Sequence, residues 1–149
     1  MGPARIVTLS ASASDWNVLL GQGQANNVTP DDRFAARLKT NTNVGSTDDG
    51  ITPDGSASTA LTHVVFVRGS DGSHSLYVDN QPYPLVRTPA DSSAPDYSGD
   101  LSTWSSSAPL SLGNEVGGGR PWLGTYQLVA VYCSALSAAD VSLHYSLGP

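Results

Sequence analysis

The sequence predicts an all-β domain in which two antiparallel sheets pack face to face. The first observation is a hairpin over residues 60–80, where an apolar run is followed by a Gly/Asp/Ser turn and a second strand, Leu76-Tyr77-Val78. That strand ends in Asp79-Asn80, residue types that tolerate the positive φ of a tight turn. The second observation is that several apolar runs alternate with period two, and the third is that long segments rich in Ser, Thr, Gly and Asn separate them. Such a pattern is typical of a β-sandwich with long polar rim loops.

Seven strands are predicted, over residues 5–11, 16–22, 33–40, 61–68, 75–79, 110–114 and 125–133. Within the third, Phe34, Ala36 and Leu38 share one face while Ala35 and Arg37 take the other. The runs 64–67 and 128–131 are apolar on both faces. We therefore expect these two runs to be inner strands that are covered on both sides.

The segments between the strands predict how the domain is organised. Residues 41–59 and 88–107 are long polar loops, which often carry binding function. Pro82 and Pro84 mark 81–87 as an edge segment, because proline cannot donate to a sheet. Ser137 is expected to cap a short helix with Asp140 in its first turn. Since no repeat or linker interrupts the chain, residues 1–149 are predicted to form a single domain.

Charge and composition exclude some classes of function. The chain has 7 basic and 13 acidic residues and a net charge of −6, whereas nucleic-acid binding requires clustered Lys and Arg. Cations and neutral polymers such as sugars remain candidate ligands. No apolar stretch reaches the roughly 20 residues of a membrane span, and the first residues do not form a signal peptide. The single cysteine, Cys133, excludes an internal disulfide and is expected to be buried within its apolar run.

An ordered series of motifs between Arg5 and Gly148 resembles one family. The motifs are, in order, LTHVVFVR followed by LYVD, GDLSTW, LGNE, RPWLG, and LVAVY with ALSAADV. Together they are similar to the laminin-G-like domains of the concanavalin A-like lectin/glucanase superfamily. This resemblance implies a jelly-roll β-sandwich and an extracellular or cell-surface location. Family domains usually begin with further strands before the segment that matches Arg5. We therefore expect an incomplete sandwich that is completed by self-association, as a homo-oligomer, or by another chain segment; a fragmentary or engineered chain is equally compatible.

Catalysis of the glucanase type is not expected. Retaining glycoside hydrolysis requires two carboxylates about 5 Å apart, and the hydrolases of this superfamily carry them in a Glu-x-Asp-x-x-Glu pattern. That pattern is absent, because Glu115 is the sole glutamate of the chain. No Gly-x-Ser-x-Gly nucleophile motif is present either.

A ligand site is predicted from Trp, amide and charged residues that follow one another in the C-terminal half. Trp faces beside carboxylate and amide groups can stack on a sugar and hydrogen-bond it. The predicted ligand-binding residues are Asp100, Trp104, Asn114, Glu115, Arg120 and Trp122. The alternative is structural: Glu115 and Arg120 form an ion pair that closes the glycine loop 117–119, with Trp122 packed beneath.

Calcium is a candidate cofactor, since the resemblance implies Ca²⁺ at the rim of the sandwich. Asp48, Asp49 and Asp54 lie on a glycine-containing loop and offer the oxygen ligands that a hard cation prefers. The alternative is a solvated acidic loop. The function predicted overall is a non-catalytic recognition module that binds a carbohydrate or a protein surface through rim loops, with or without Ca²⁺. A structural domain that self-associates through an open sheet edge is the alternative, and a hydrolase is a more distant one.

Overall fold

The computed structural model describes residues 3–23, 32–43, 50–87 and 95–148. These residues form eight strands and one helix. In chain order they are β1 (Ala4–Ser10), β2 (Trp16–Gln22), β3 (Phe34–Leu38), β4 (Gly50–Ile51), β5 (Val64–Arg68), β6 (His74–Val78), β7 (Gln81–Tyr83), β8 (Leu110–Leu112) and α1 (Ala138–Leu147).

The strands form two antiparallel sheets. One has five strands in the order β4-β3-β2-β1-β8, and the other has three in the order β5-β6-β7. The prediction of an all-β antiparallel sandwich is confirmed.

The core lies between the two sheets. Phe34, Ala36 and Leu38 contribute one face of β3, as their alternation predicts, and they pack with Leu76 and Val78 of β6. The face of β3 that is apolar in the sequence is therefore the face that the opposite sheet covers.

The turn of the second hairpin follows the sequence closely. Val78 pairs with Gln81, so Asp79 and Asn80 are the two central residues, with φ of 49° and 65°. Positive φ at both positions is the requirement of a type I′ turn, which matches the twist of the flanking strands. The next strand, β7, contains Pro82 and is an edge strand, as predicted.

Two expected inner strands are not inner strands in the structure. β5 pairs with β6 alone within the described chain, and all five of its residues are half-buried. Residues 125–133 form no strand; Leu128 and Val131 are 71% and 72% exposed, and Cys133 is exposed rather than buried. The physical reason is that no backbone group of residues 123–136 has a hydrogen-bond partner in the described chain. An apolar, β-branched run has strand propensity, but it becomes a strand only when its backbone pairs with a neighbouring strand.

The C-terminal helix begins as predicted. Ser137 and Asp140 form a capping box in which each side chain accepts from the other residue's backbone N–H. Val141 is fully buried, and Tyr145 packs its ring on His63, with 5.8 Å between the ring centroids.

The contact between His63 and α1 makes stability depend on pH. Burial lowers the pKa of His63, the charge of His144 lowers it further, and Asp79 opposes both. Because the pKa of His63 is lower in the folded chain than its ordinary value of 6.5, its contribution to stability is present above pH 6.5. That contribution is lost as the pH falls below 6.5. Urea unfolding of the His63→Gln variant should therefore show a weaker loss of stability below pH 6.5 than the unsubstituted chain. Parallel pH profiles for the two proteins would contradict this.

Candidate recognition site at the Glu115 loop

Glu115 is the centre of the site, in the loop that follows β8. Its carboxylate oxygen Oε2 accepts a hydrogen bond from Arg5 Nε at 3.3 Å and lies 3.6 Å from Arg120 Nη1. Glu115 itself is buried. The ion pair expected between Glu115 and Arg120 is thus present, and Arg5 of β1 joins it.

The glycine loop closes over this carboxylate. Glu115 N–H donates to the Gly119 carbonyl at 3.0 Å, and Gly118 N–H donates to the Glu115 carbonyl at 2.9 Å. Gly117 and Gly118 have φ of 93° and 81°, which only glycine adopts at little cost. Gly119 approaches the Glu115 carboxylate so closely that a Cβ there would collide with Oε1. The three consecutive glycines therefore serve a tight turn wrapped around Glu115.

Two buried arginines make the site positive. Arg5 is 1% exposed and Arg37 of β3 is 5% exposed, with the Arg37 guanidinium 5.8 Å from the Trp16 ring centroid. Burial, followed by the charge of Arg120, lowers the pKa of Arg5 to about 10, although Glu115 opposes the shift. Burial and the charges of Arg5 and Arg120 lower the pKa of Arg37 to about 10 as well. Burial is the largest cause of both shifts, and the neighbouring arginines add to it.

Arg5 also retains unused hydrogen-bonding capacity. Its Nη1 is buried and donates to no group of the described chain. An unsatisfied donor on a buried cation costs stability unless an acceptor reaches it. The cluster is therefore rich in both positive charge and donors.

The remaining residues of the loop fasten it to the sheet. Arg5 N–H donates to the Arg120 carbonyl at 3.0 Å, and Trp122 N–H donates to the Gly113 carbonyl at 2.8 Å. The Trp122 indole donates to Gln22 Oε1 at 2.9 Å and is half-buried. Asn114 is exposed and Arg120 is partly exposed, so both offer accessible surface on the loop that holds the buried ion pair.

The other two predicted ligand residues lie in a different set of contacts. The Trp104 indole donates to the Lys39 carbonyl at 2.7 Å, and its ring packs against the core. Asp100 accepts from Ser102 N–H at 2.9 Å, and its carbonyl accepts from Asn41. Among the described residues, no hydrogen bond or ion pair connects Asp100 or Trp104 to the Glu115 loop. The structure brings together Asn114, Glu115, Arg120 and Trp122, and it adds Arg5 and Arg37.

Sequence reasoning missed Arg5 and Arg37 because both lie in strands. Along each strand the arginine alternates with residues that pack in the core. A charged residue at such a position is normally assigned to the solvent-exposed face of the strand. One signal was available: Arg37 follows two alanines, whose small side chains leave room for a long side chain to lie along the sheet.

The predicted calcium ligands are described only in part. Asp48 and Asp49 lie outside the described residues. Asp54 is exposed and its carboxylate is in contact with the Arg33 guanidinium. Within the described ranges, no three His, Cys, Asp or Glu residues are grouped so as to hold a metal ion.

A family model named Laminin_G_3, described as the concanavalin A-like lectin/glucanases superfamily, matches residues 4–142. The chain belongs to this family. No curated protein and no solved structure matches it. Laminin-G-like domains are generally non-catalytic modules that bind carbohydrate or protein, often outside the cell. In the part of this laminin-G-like domain that the structure describes, no helix is long and apolar enough to cross a membrane.

Proposed function

We propose that this laminin-G-like domain is a non-catalytic recognition module that binds an acidic carbohydrate at the rim formed by Asn114, Arg120 and Trp122. The observation that carries the proposal is that Arg5, Arg37 and Arg120 lie within electrostatic reach of the single carboxylate of Glu115. Arg5 and Arg120 share one carboxylate, and a sulfate or carboxylate group on a sugar would bring a second negative charge to the exposed part of Arg120.

Arg120 is the residue best placed to meet the ligand. Its side chain is 29% exposed, and its 3.6 Å contact with Glu115 is longer than that of Arg5. A guanidinium can bind carboxylate or sulfate oxygens in a bidentate fashion. Arg120 also has a φ of 51°, a conformation that is costly for a side chain of this size and that clusters at functional sites.

The neighbouring groups suit a sugar ring. Trp122 is half-buried two residues from Arg120, with its ring 4.9 Å from that of Tyr126, and an indole face packs well on the apolar face of a pyranose. Asn114 offers an amide on the same loop. A charged anchor with an aromatic platform and a few polar groups is the usual composition of a carbohydrate-sized site.

The same geometry argues against hydrolysis at this rim. Glu115 is the sole glutamate, and it is buried and hydrogen-bonded to Arg5 rather than directed at a ligand. A retaining mechanism needs a second carboxylate about 5 Å away, whereas the groups in contact with Glu115 here are cationic.

An extracellular or cell-surface location is part of the proposal, by analogy with the family. Calcium at Asp48, Asp49 and Asp54 is a proposal as well, supported by the carboxylates of that loop. If Ca²⁺ contributes, the carbohydrate binding described below will fall when EDTA is added and will recover when excess Ca²⁺ is restored.

Binding to a glycan array of neutral, uronate-containing and sulfated oligosaccharides tests the proposal, with and without Ca²⁺. We expect binding to acidic glycans, and we expect Arg120→Gln to weaken it about 10-fold or more, because a charge-assisted hydrogen bond contributes roughly 1.5–3 kcal/mol. Lys39→Gln is the matched control: it removes the same charge from a residue that pairs with Asp15 at 2.9 Å, and it should leave binding unchanged. Binding of neutral glycans alone, or equal losses in both variants, would refute the proposal.

Self-association as a homo-oligomer is a second candidate function. The observation that favours it is the exposed, unpaired apolar run at residues 123–136.

A further inference from the structure

Residues 127–132, Gln-Leu-Val-Ala-Val-Tyr, form an unpaired segment that we name the open segment. Its ends are held in place. Upstream, the Tyr126 hydroxyl donates to the Ile6 carbonyl of β1 and the Tyr126 ring lies 4.9 Å from that of Trp122. Downstream, Tyr132 stacks on His144 of α1, with 5.5 Å between ring centroids. The open segment is thus an anchored stretch of backbone whose hydrogen-bonding groups are all unused within the described chain.

The open segment has the composition of a strand and none of the protections of a natural edge. It contains two valines, a leucine and a tyrosine, and residues 125–139 include neither Gly nor Pro. Edge strands are normally protected by charged residues, prolines or bulges. Residues 121–139 carry no Asp, Glu, Lys, Arg or His at all. A backbone stretch of this kind is a template for pairing with another strand.

We propose that the open segment pairs antiparallel with the open segment of a second copy, about a two-fold axis. A two-fold interface needs a single self-complementary surface. The open segment provides one, because an uncharged strand can face itself without like-charge contacts even though each chain carries a net charge of −6. Pairing would satisfy the backbone groups of alternate residues in both copies. It would also bring Leu128 and Val131, which are 71% and 72% exposed, into contact with side chains across the strand pair. This inference deepens the self-association candidate above and does not depend on carbohydrate binding.

The free edge of β5 in a second copy is the other strand edge with which the open segment could pair, and it is a less suitable partner. Gly69 N–H donates to Ser73 and Asp79 N–H donates to His63, so the alternation of antiparallel pairs directs the backbone groups of Val64, Phe66 and Arg68 to the open side. Arg68, at the end of that edge, turns its side chain to the carbonyls of Tyr97 and Gly99. A dimer built through β5 would require two separate segments of each copy to fit at once, whereas self-pairing requires one.

Size-exclusion chromatography with light scattering, between about 1 and 200 µM chain, tests the proposal, because a short strand pair gives a small interface and hence a weak, concentration-dependent dimer. Val131→Lys and Val131→Asp should each abolish the dimer by placing like charges near the axis. Mixing the two variants should restore it as a heterodimer. The unsubstituted dimer should become tighter as salt rises, since screening reduces the repulsion between two chains of −6.

Leu147→Lys is the matched control, since Leu147 is 73% exposed and receives the same charge in the last turn of α1, where a cation is favourable. It should dimerise like the unsubstituted chain. A monomer at every concentration, open-ended aggregation, or a dimer that the mixed variants do not restore would overturn the proposal. So would a thermal stability of the Val131 variants below that of Leu147→Lys at a chain concentration where all of them are monomeric, because it would show that Val131 packs within its own chain. Glycan binding is also measured on the Val131→Lys monomer. This tests the carbohydrate site without the dimer, so a failure of the dimer proposal can be distinguished from a failure of the carbohydrate site.

Discussion

Replacing Glu115 by Gln is expected to lower the free energy of unfolding by about 3–5 kcal/mol, the usual cost of removing one partner from a buried ion pair. Gln has nearly the same shape and can still accept from Arg5 Nε, so the change removes the charge rather than the packing. Arg5, at 1% exposed, would then face Arg37 and Arg120 without a counter-ion. Urea unfolding monitored by tryptophan fluorescence measures the loss.

Two further variants separate charge from general disturbance. Asp100→Asn removes an exposed carboxylate that accepts from Ser102, and it should change stability by no more than about 0.5 kcal/mol. The double variant Glu115→Gln with Arg5→Met removes the orphaned charge together with its partner, and most of the lost stability should return, because apolar replacements of buried ion pairs are often neutral. If the double variant were as unstable as Glu115→Gln alone, the loss could not be assigned to an uncompensated arginine.

The sequence predicted those parts of the fold that depend on local chemistry. The turn at Asp79-Asn80, the capping box at Ser137 and the shared face of Phe34, Ala36 and Leu38 follow from backbone preferences and side-chain period. They could be predicted because each is determined by residues within a few positions of one another.

What could not be predicted depends on partners distant in sequence. Arg5 lies 110 residues from Glu115, so neither the buried arginine nor its role beside the glycine loop is visible in a local pattern. The run at 128–131 looks like a buried strand because strand propensity and strand pairing are separate properties. Trp104 and Trp122 look equivalent in sequence, yet the Trp104 ring packs against the core while the Trp122 indole donates to Gln22 at the end of β2.

Replacing Leu76 by Ala tests whether the two sheets share one core. Leu76 is 0% exposed in the middle of β6 and packs with β3 residues across the sandwich. Removing a fully buried leucine side chain costs about 2–5 kcal/mol, because transfer free energy is lost and a cavity remains. The loss should appear in urea unfolding as a lower midpoint with an unchanged slope, since the surface exposed on unfolding stays the same.

Leu110→Ala is the matched control for this variant. Leu110 begins β8, the edge strand of the larger sheet, and is 51% exposed, so its truncation should cost less than about 1 kcal/mol. The ratio of the two losses measures how much of the stability lies between the sheets. Equal losses would mean that the three-stranded sheet contributes no more to the core than an exposed edge does. A large loss of stability for Leu76→Ala alone would show that packing against β3 holds the hairpin of β5 and β6. The free edge of β5 can remain unpaired in a folded domain only if the hairpin is held in this way.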